Sequence, residues 1–266
     1  MSDRQPIPGE ISIAVEELKS ASIFLTRVPA RLVGLDTSRA PDFKHGARVF
    51  PVVGVFVGVA GGVILVVASA LGVPPLLSAA LAVTTTVLVT GGLHEDGLAD
   101  TADSFGGATT EKKLEIMDDS RVGTYGAAAL VFSILLRVAA LGAVAAVGPL
   151  RAAFALIAAE AVSRAALVRL WHDLPAARMG GLADDTGPPD QNAMLVALAI
   201  GAVVAVIASV PAVGLWATIL AGALTVGATY AMIRLTARTL GGRTGDTLGA
   251  CQQVAAIAFL IGASVV

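Results

Sequence analysis

The chain reads as an all-α, polytopic integral membrane protein with about seven transmembrane helices and an N-terminal interfacial helix. Three observations lead there. Of its 266 residues, 56% are hydrophobic, and mean hydropathy is +0.81. Only 14% are charged, against about 25% in soluble domains. Apolar stretches of about 20 residues, enough to cross a bilayer, alternate with polar segments.

The elements follow in order. MSDRQPIPGE, residues 1–10, is polar and lacks the adjacent apolar core of a cleavable signal peptide. Residues 11–27 fit an amphipathic, interfacial helix with Ile11, Val15, Leu18, Ser22 and Leu25 on one face. Ser22 is the weak point of that face, and Pro29 ends the helix. Spans are expected at 51–72, 75–93, 125–147, 152–170, 193–210, 212–233 and 248–266. The second is moderately polar, with Thr84, Thr85, Thr86 and Thr90; the last carries Gln252 and Gln253 near its start. Gly54, Gly58 and Gly62 form a doubled G-x-x-x-G, a pattern that brings helices close together. The whole chain, 1–266, reads as one membrane domain, with a polar N-terminal segment at 1–50 and an acidic loop at 94–124.

The links alternate in character. Those at 73–74, 148–151 and 211 are minimal, whereas 1–50, 94–124, 171–192 and 234–247 are longer and polar. With seven spans, all four polar segments share one side, and with them go 15 of the 18 Lys and Arg. The positive-inside rule then puts the N terminus and these segments in the cytoplasm, with the C terminus outside. Substrates are accordingly expected to be cytoplasmic, and soluble or amphipathic. The net charge of −2 gives no indication of nucleic acid, and the lone Cys251 cannot form an intrachain disulfide.

The chemistry concentrates in GGLHEDGLADTADSFGG, residues 91–107. Asp96, Asp100 and Asp103 are spaced i, i+4, i+7, which on a helix puts them within roughly 60° of one another. Such acids repel unless a cation lies between them. A hard divalent metal facing phosphate oxygens meets that need, since Mg²⁺ keeps waters and borrows substrate oxygens. Asp96, Asp100 and Asp103 are the first metal candidates; Glu95, about 100° round the helix from Asp96, is the second-rank one. His94, at the junction of span and loop, is a base, a ligand or an interfacial hydrogen-bonding residue. A solvated acidic loop is the bland alternative.

Two further segments stand on the same side. In KLEIMDDSRVGTYG, residues 113–126, Asp118, Asp119, Ser120 and Arg121 offer acceptors and a forked donor suited to phosphate. In LGGRTGDTLGA, residues 240–250, glycines allow close backbone approach to an anion and Arg243 adds a cation. Asp246 there could ligate metal, orient a hydroxyl or cap the following helix. Arg137, Glu160 and Arg164 lie within spans, and Glu160 and Arg164 are spaced to pair.

FLTRVP (24–29), FPVVGVFVG (50–58), residues 91–107, residues 113–126, AVSR (161–164) and TLGGRTGDTLGA (239–250) together resemble the cobalamin synthase family, the adenosylcobinamide-GDP ribazoletransferases. The resemblance covers nearly the whole chain in order. One departure is Ser104-Phe105, where the family pattern has a glycine after the last aspartate. The resemblance implies a transferase in which a hydroxyl of α-ribazole, or of its 5′-phosphate, attacks the phosphate next to cobinamide in adenosylcobinamide-GDP and GMP leaves. It implies Mg²⁺ as cofactor, and on the reading of the acidic helix Asp96, Asp100 and Asp103 are expected to hold it on the pyrophosphate. Arg121 and Arg243 would then stabilise phosphate oxygens, and Asp103 or Asp246 would accept the hydroxyl proton. Partner enzymes of the corrinoid pathway, or further copies of the chain, are expected at the same bilayer. DGLAD also resembles the CDP-alcohol phosphotransferases in part, but Asp100 stands where that family has Arg. An Asp-rich prenyltransferase should show a second acidic motif, and a transporter should gather its polar groups at mid-membrane.

Overall fold

The computed structural model describes residues 10–34, 42–178 and 187–265. The polar stretch at 1–9 with Arg4, and Arg39, lie outside the described residues. So does the side chain of Ile11, the first member of the amphipathic face. All regular elements among the described residues are helical, apart from one isolated parallel bridge between Ala176 and Arg243.

Helix α1 runs Glu10–Leu25, followed by the short α2, Ala30–Val33, and α3, Phe43–Gly46, which passes through a 3₁₀ turn into α4, Phe50–Ala70. The chain continues through α5 (Pro75–Thr90), α6 (Leu93–Ser104), α7 (Thr110–Met117), α8 (Thr124–Val147) and α9 (Pro149–Asp173). Then come α10 (Gln191–Val204), a π-helical turn (Ala205–Ser209), α11 (Val210–Val213), α12 (Leu215–Leu240) and α13 (Gly245–Ala263).

By length and composition five helices can cross a membrane: Phe43–Ala70, Thr124–Val147, Gln191–Val213, Leu215–Leu240 and Gly245–Ala263. The pair Pro75–Thr90 and Leu93–Ser104, bent by 90°, makes a sixth if it counts as one broken span. The protein is therefore multi-pass. Helix α9, expected as a span over 152–170, does not pass that test because it carries Glu160 and Arg164 along with charged ends. It is the buried centre of the bundle, and its mid-helix pair Glu160 and Arg164 faces protein, while Arg151 and Asp173 at its ends are exposed.

Two boundaries differ from the sequence reading. The second span, expected over 75–93, stops at Thr90, because Gly91 and Gly92 both take positive φ (66° and 72°) and turn the chain into α6. The link expected at 211 lies at Gly214, φ 89°. Pro211 instead occupies the first turn of α11, where a missing N–H is harmless.

The doubled G-x-x-x-G packs α4 antiparallel on α9. A Cβ on Gly54 would stand 2.3 Å from Glu160 O, one on Gly58 2.6 Å from Ile157 Cα, and one on Gly62 3.1 Å from Ala153 Cβ. Near the other end, Phe24, Phe43, Phe50 and Trp171 form a ring cluster with centroids 4.7–6.1 Å apart. It ties the N-terminal segment to the end of α9. Helix α1 buries Ala21 and Leu25 while Ile13 and Val15 stay exposed, so its inward face is rotated from the expected one.

Candidate active site

The acidic segment is helical where its spacing predicts. Helix α6 starts at the Gly91-Gly92 break and lies between α8 and α13, antiparallel to both. Two glycines make that approach possible. A Cβ on Gly97 would stand 2.7 Å from Asp246 O, and one on Gly249 3.2 Å from His94 Cα. The first turn of α13 is thereby pressed onto the middle of α6. This brings Asp246 to Asp96 and Asp100, although roughly 150 residues of chain intervene.

The consequence is electrostatic. Partial burial, followed by the charges of Asp96, Asp246 and Asp103, pushes the Asp100 carboxyl up from its ordinary 3.8 to about 7. We read α6 as lying beyond the span that ends at Thr90, since it carries four acids. Among the described residues, no three His, Cys, Asp or Glu converge closely enough to cage an ion by themselves. The acids form a looser, electrostatically coupled set, and the crowding at Asp100 is the more informative of the two observations. Mg²⁺ fits such a set, because it needs only one or two carboxylates and completes its shell with water and phosphate oxygens. Asp96, Asp100 and Asp246 are the residues that would hold it.

Several expected site residues are placed differently. Asp103 has both oxygens engaged, accepting from Gly123 N–H at 2.7 Å and Gly126 N–H at 2.8 Å. It caps α8 from outside, satisfying amides that a helix start leaves open. A Cβ on Gly123 or Gly126 would stand 2.5 or 2.3 Å from that carboxylate, so the glycines of the RVGTYG run make room for it. Glu95, the second-rank metal candidate, points away from the acidic row. It is 7% exposed, pairs with Arg137 at 3.0 Å and accepts from Gln253 Nε2 at 3.1 Å. His94 is 2% exposed beneath the row, and its Nε2 finds no partner among the described residues.

Arg243 is also corrected. It is 3% exposed and donates from Nη1 to Leu174 O at 2.6 Å, while its backbone exchanges bonds with Pro175 and Ala177. A Cβ on Gly242 would stand 2.6 Å from Pro175 O. Gly242 therefore receives the 174–177 segment of the chain, within the run where an anion cradle was expected, while a Cβ on Gly241 or Gly245 would meet nothing within 4 Å. The N-cap of α13 is Thr244, in a capping box with Thr247, and the Asp246 carboxylate beside it interacts with the Thr244 hydroxyl and with its own backbone N–H. Arg121 is exposed and forks onto Asp119, whose carboxyl its hydrogen bonds hold down at about 2. Ser120 lies beside them in the exposed 118–123 turn.

Sequence reasoning missed two groups. Arg178 pairs with Asp118 and is close enough to Asp246 to act on it electrostatically. A buried polar network also underlies the acidic row. Gln253 accepts from Ser133 and donates to Gln252 and Glu95; Gln252 donates to Ser163; Arg164 pairs with Glu160. The i, i+4 spacing of Glu160 and Arg164 announced one pair of it, and the glutamines of the last span were its other outward sign.

Comparison with known proteins accords with this geometry. A family model described as cobalamin-5-phosphate synthase matches residues 17–264. A relative named adenosylcobinamide-GDP ribazoletransferase, from Azorhizobium caulinodans, is 49% identical over 248 residues, 92% of this chain and 94% of its own. One of the same name from Brucella melitensis is 42% identical over 241 residues, 90% of this chain and 92% of its own. No solved structure matches the chain.

Proposed function

The chain belongs to the cobalamin-5-phosphate synthase family, and from that membership we propose that this transferase joins adenosylcobinamide-GDP to α-ribazole or its 5′-phosphate. A ribazole hydroxyl oxygen forms a bond to the phosphorus next to cobinamide. The bond from that phosphorus to the bridging oxygen breaks, GMP departs with the electron pair, and the hydroxyl proton is released. The observation that carries this reading is Asp100, set against Asp96 and Asp246, where partial burial first and the neighbouring acids second push its carboxyl up to about 7. An acid row of this kind repels a diphosphate until a divalent cation bridges the two.

Mg²⁺, when bound, supplies charge neutralisation and polarises the diphosphate oxygens. Asp96, Asp100 and Asp246 would hold it. Asp246, in the first turn of α13 against α6, lies beside Asp96 and Asp100, and we assign it as proton acceptor. Asp103 keeps α8 in register with α6. Arg121 and Asp119, on an exposed turn, would meet the guanosine monophosphate half as it arrives and leaves. The charge bias of the polar segments supports a cytoplasmic orientation for this face, in the inner membrane of the cell.

The test is a GMP-release assay on purified protein with adenosylcobinamide-GDP and α-ribazole. Release should require Mg²⁺ and stop with EDTA, and α-ribazole 5′-phosphate compared in parallel identifies the preferred acceptor. Full release in EDTA would overturn the metal assignment. Transport of either compound across proteoliposomes without GMP would overturn the transfer.

A further inference from the structure

The FLTRVP segment has no part in the chemistry above. Arg27 lies just beyond α1, where its backbone N–H donates to Val89 O at 2.8 Å, at the end of α5. Thr26 Oγ1 stiffens the exit from α1, donating to Ser22 O at 2.5 Å and accepting from Val28 N–H at 3.2 Å. The Arg27 side chain crosses Gly91. A Cβ on Gly91 would stand 2.1 Å from Arg27 Nε, 2.5 Å from its Cγ and 2.7 Å from its Cδ. Gly91 is thus needed twice, for its positive φ and to admit the arginine stem. Its neighbour Gly92 has the same sign of φ, but a Cβ there would meet nothing within 4 Å.

The arginine is therefore seated in a backbone notch at the break that starts α6, yet it remains exposed. No carboxylate among the described residues pairs with it, unlike Arg121, Arg137 and Arg178 around the acidic helix, which each have one. Asp96 N–H donates to Gly92 O at 2.9 Å, so the acidic row begins one turn beyond the notch. That turn rises about 6 Å, within the reach of a diphosphate lying along the helix. A guanidinium with a fixed stem and a free fork suits phosphate oxygens. At the head of a row of acids it is also a cation of the kind that an anionic substrate needs from the protein.

We propose that Arg27, seated against Gly91, is a substrate-binding residue that takes a phosphate oxygen of the nucleotide-activated substrate. This rests on the transfer reading above. The same fork could meet a lipid phosphate, so the experiment separates the two sources. GDP is titrated against full-length protein in detergent, and binding to vesicles with and without anionic phospholipid is measured alongside. Arg27→Gln should weaken GDP at least tenfold, and Arg27→Lys should recover part of the loss. Gly91→Ala should mimic Arg27→Gln, while Gly92→Ala, equally strained in φ, should keep GDP affinity near that of the parent. Parental GDP affinity in Arg27→Gln overturns the proposal, and loss confined to anionic vesicles overturns it in favour of lipid. Equal GDP loss in Gly91→Ala and Gly92→Ala overturns the notch. A parent that binds GDP through Arg27 but releases no GMP from adenosylcobinamide-GDP refutes the transfer reading while leaving this site in place.

Discussion

Two faces of one helix treat their acids in opposite ways. On α6, Glu95 is buried and answered at once by Arg137 and Gln253. One residue on, Asp96 opens the row with Asp100, where carboxylate meets carboxylate and no protein cation pairs with either among the described residues. The first face is a finished structure, since a buried charge survives only with a partner. The second is unfinished by the same standard, and its unbalanced charge is what a metal and a phosphate would complete. The difference teaches that proximity of acids does not mark a site; the absence of a resident counter-charge does.

The sharpest way to break this contrast is to mutate one residue on each face. Asp100→Ala should fold and insert as the parent does and lose GMP release by about 10²-fold or more, the scale on which electrostatic groups act in transfer reactions. Parental turnover would sink the assignment of the open face. Arg137→Leu should do the reverse and lose the fold first. Removing one partner of a buried pair costs about 3–5 kcal/mol, visible as a lower melting temperature in detergent. Replacing both, Glu95→Met with Arg137→Met, should recover most of that stability. If the double variant melts as low as the single one, the network contributes more than the pairing.

A smaller effect probes the contact between the faces and α13. Gly97→Ala places a methyl 2.7 Å from Asp246 O. Forced overpacking of this kind costs about 1–3 kcal/mol, and it should separate Asp246 from Asp100. The expected result is a lower melting temperature together with a higher Mg²⁺ requirement for GMP release. An unchanged Mg²⁺ requirement would remove Asp246 from the metal-binding set.

The smallest effect is in pH. The Asp100 carboxyl titrates near 7 in the fold, above its ordinary 3.8, so the folded chain holds a proton that the unfolded chain has lost across that interval. Stability of the metal-free protein should fall as pH rises from about 4 to about 7. Asp100→Asn should flatten this slope, and Mg²⁺ should restore stability most at the alkaline end. Thermal melts at pH 5 and pH 8, with and without Mg²⁺, measure it; a parental slope in Asp100→Asn would contradict the crowding.

Much of the plan was legible in advance because it depends on local periodicity. The i, i+4, i+7 spacing put the aspartates on one helical face, and G-x-x-x-G announced a close helix pair. Other assignments failed for one common reason. Asp103 has the spacing of a ligand but the partners of a cap, and those partners, Gly123 and Gly126, lie on the next long helix. Glu95 and Arg137 are separated by 42 positions, so no window along the chain shows them as a pair. Arg243 looked like an anion site because glycines surrounded it, yet its neighbour Gly242 packs on residues 175–177 and its own guanidinium donates to Leu174 O.

What the sequence by itself determined was membrane embedding, helical class, the acid row and the family. These follow from composition, from a 3.6-residue period and from motif order, which are properties of neighbours in the chain. Only the tertiary structure decided which acids are free. A carboxylate becomes a cap, an ion-pair partner or a ligand according to what stands opposite, and here what stands opposite comes from α8 and α13. The glycines at 97 and 249 let the backbones come close enough for that choice to be made.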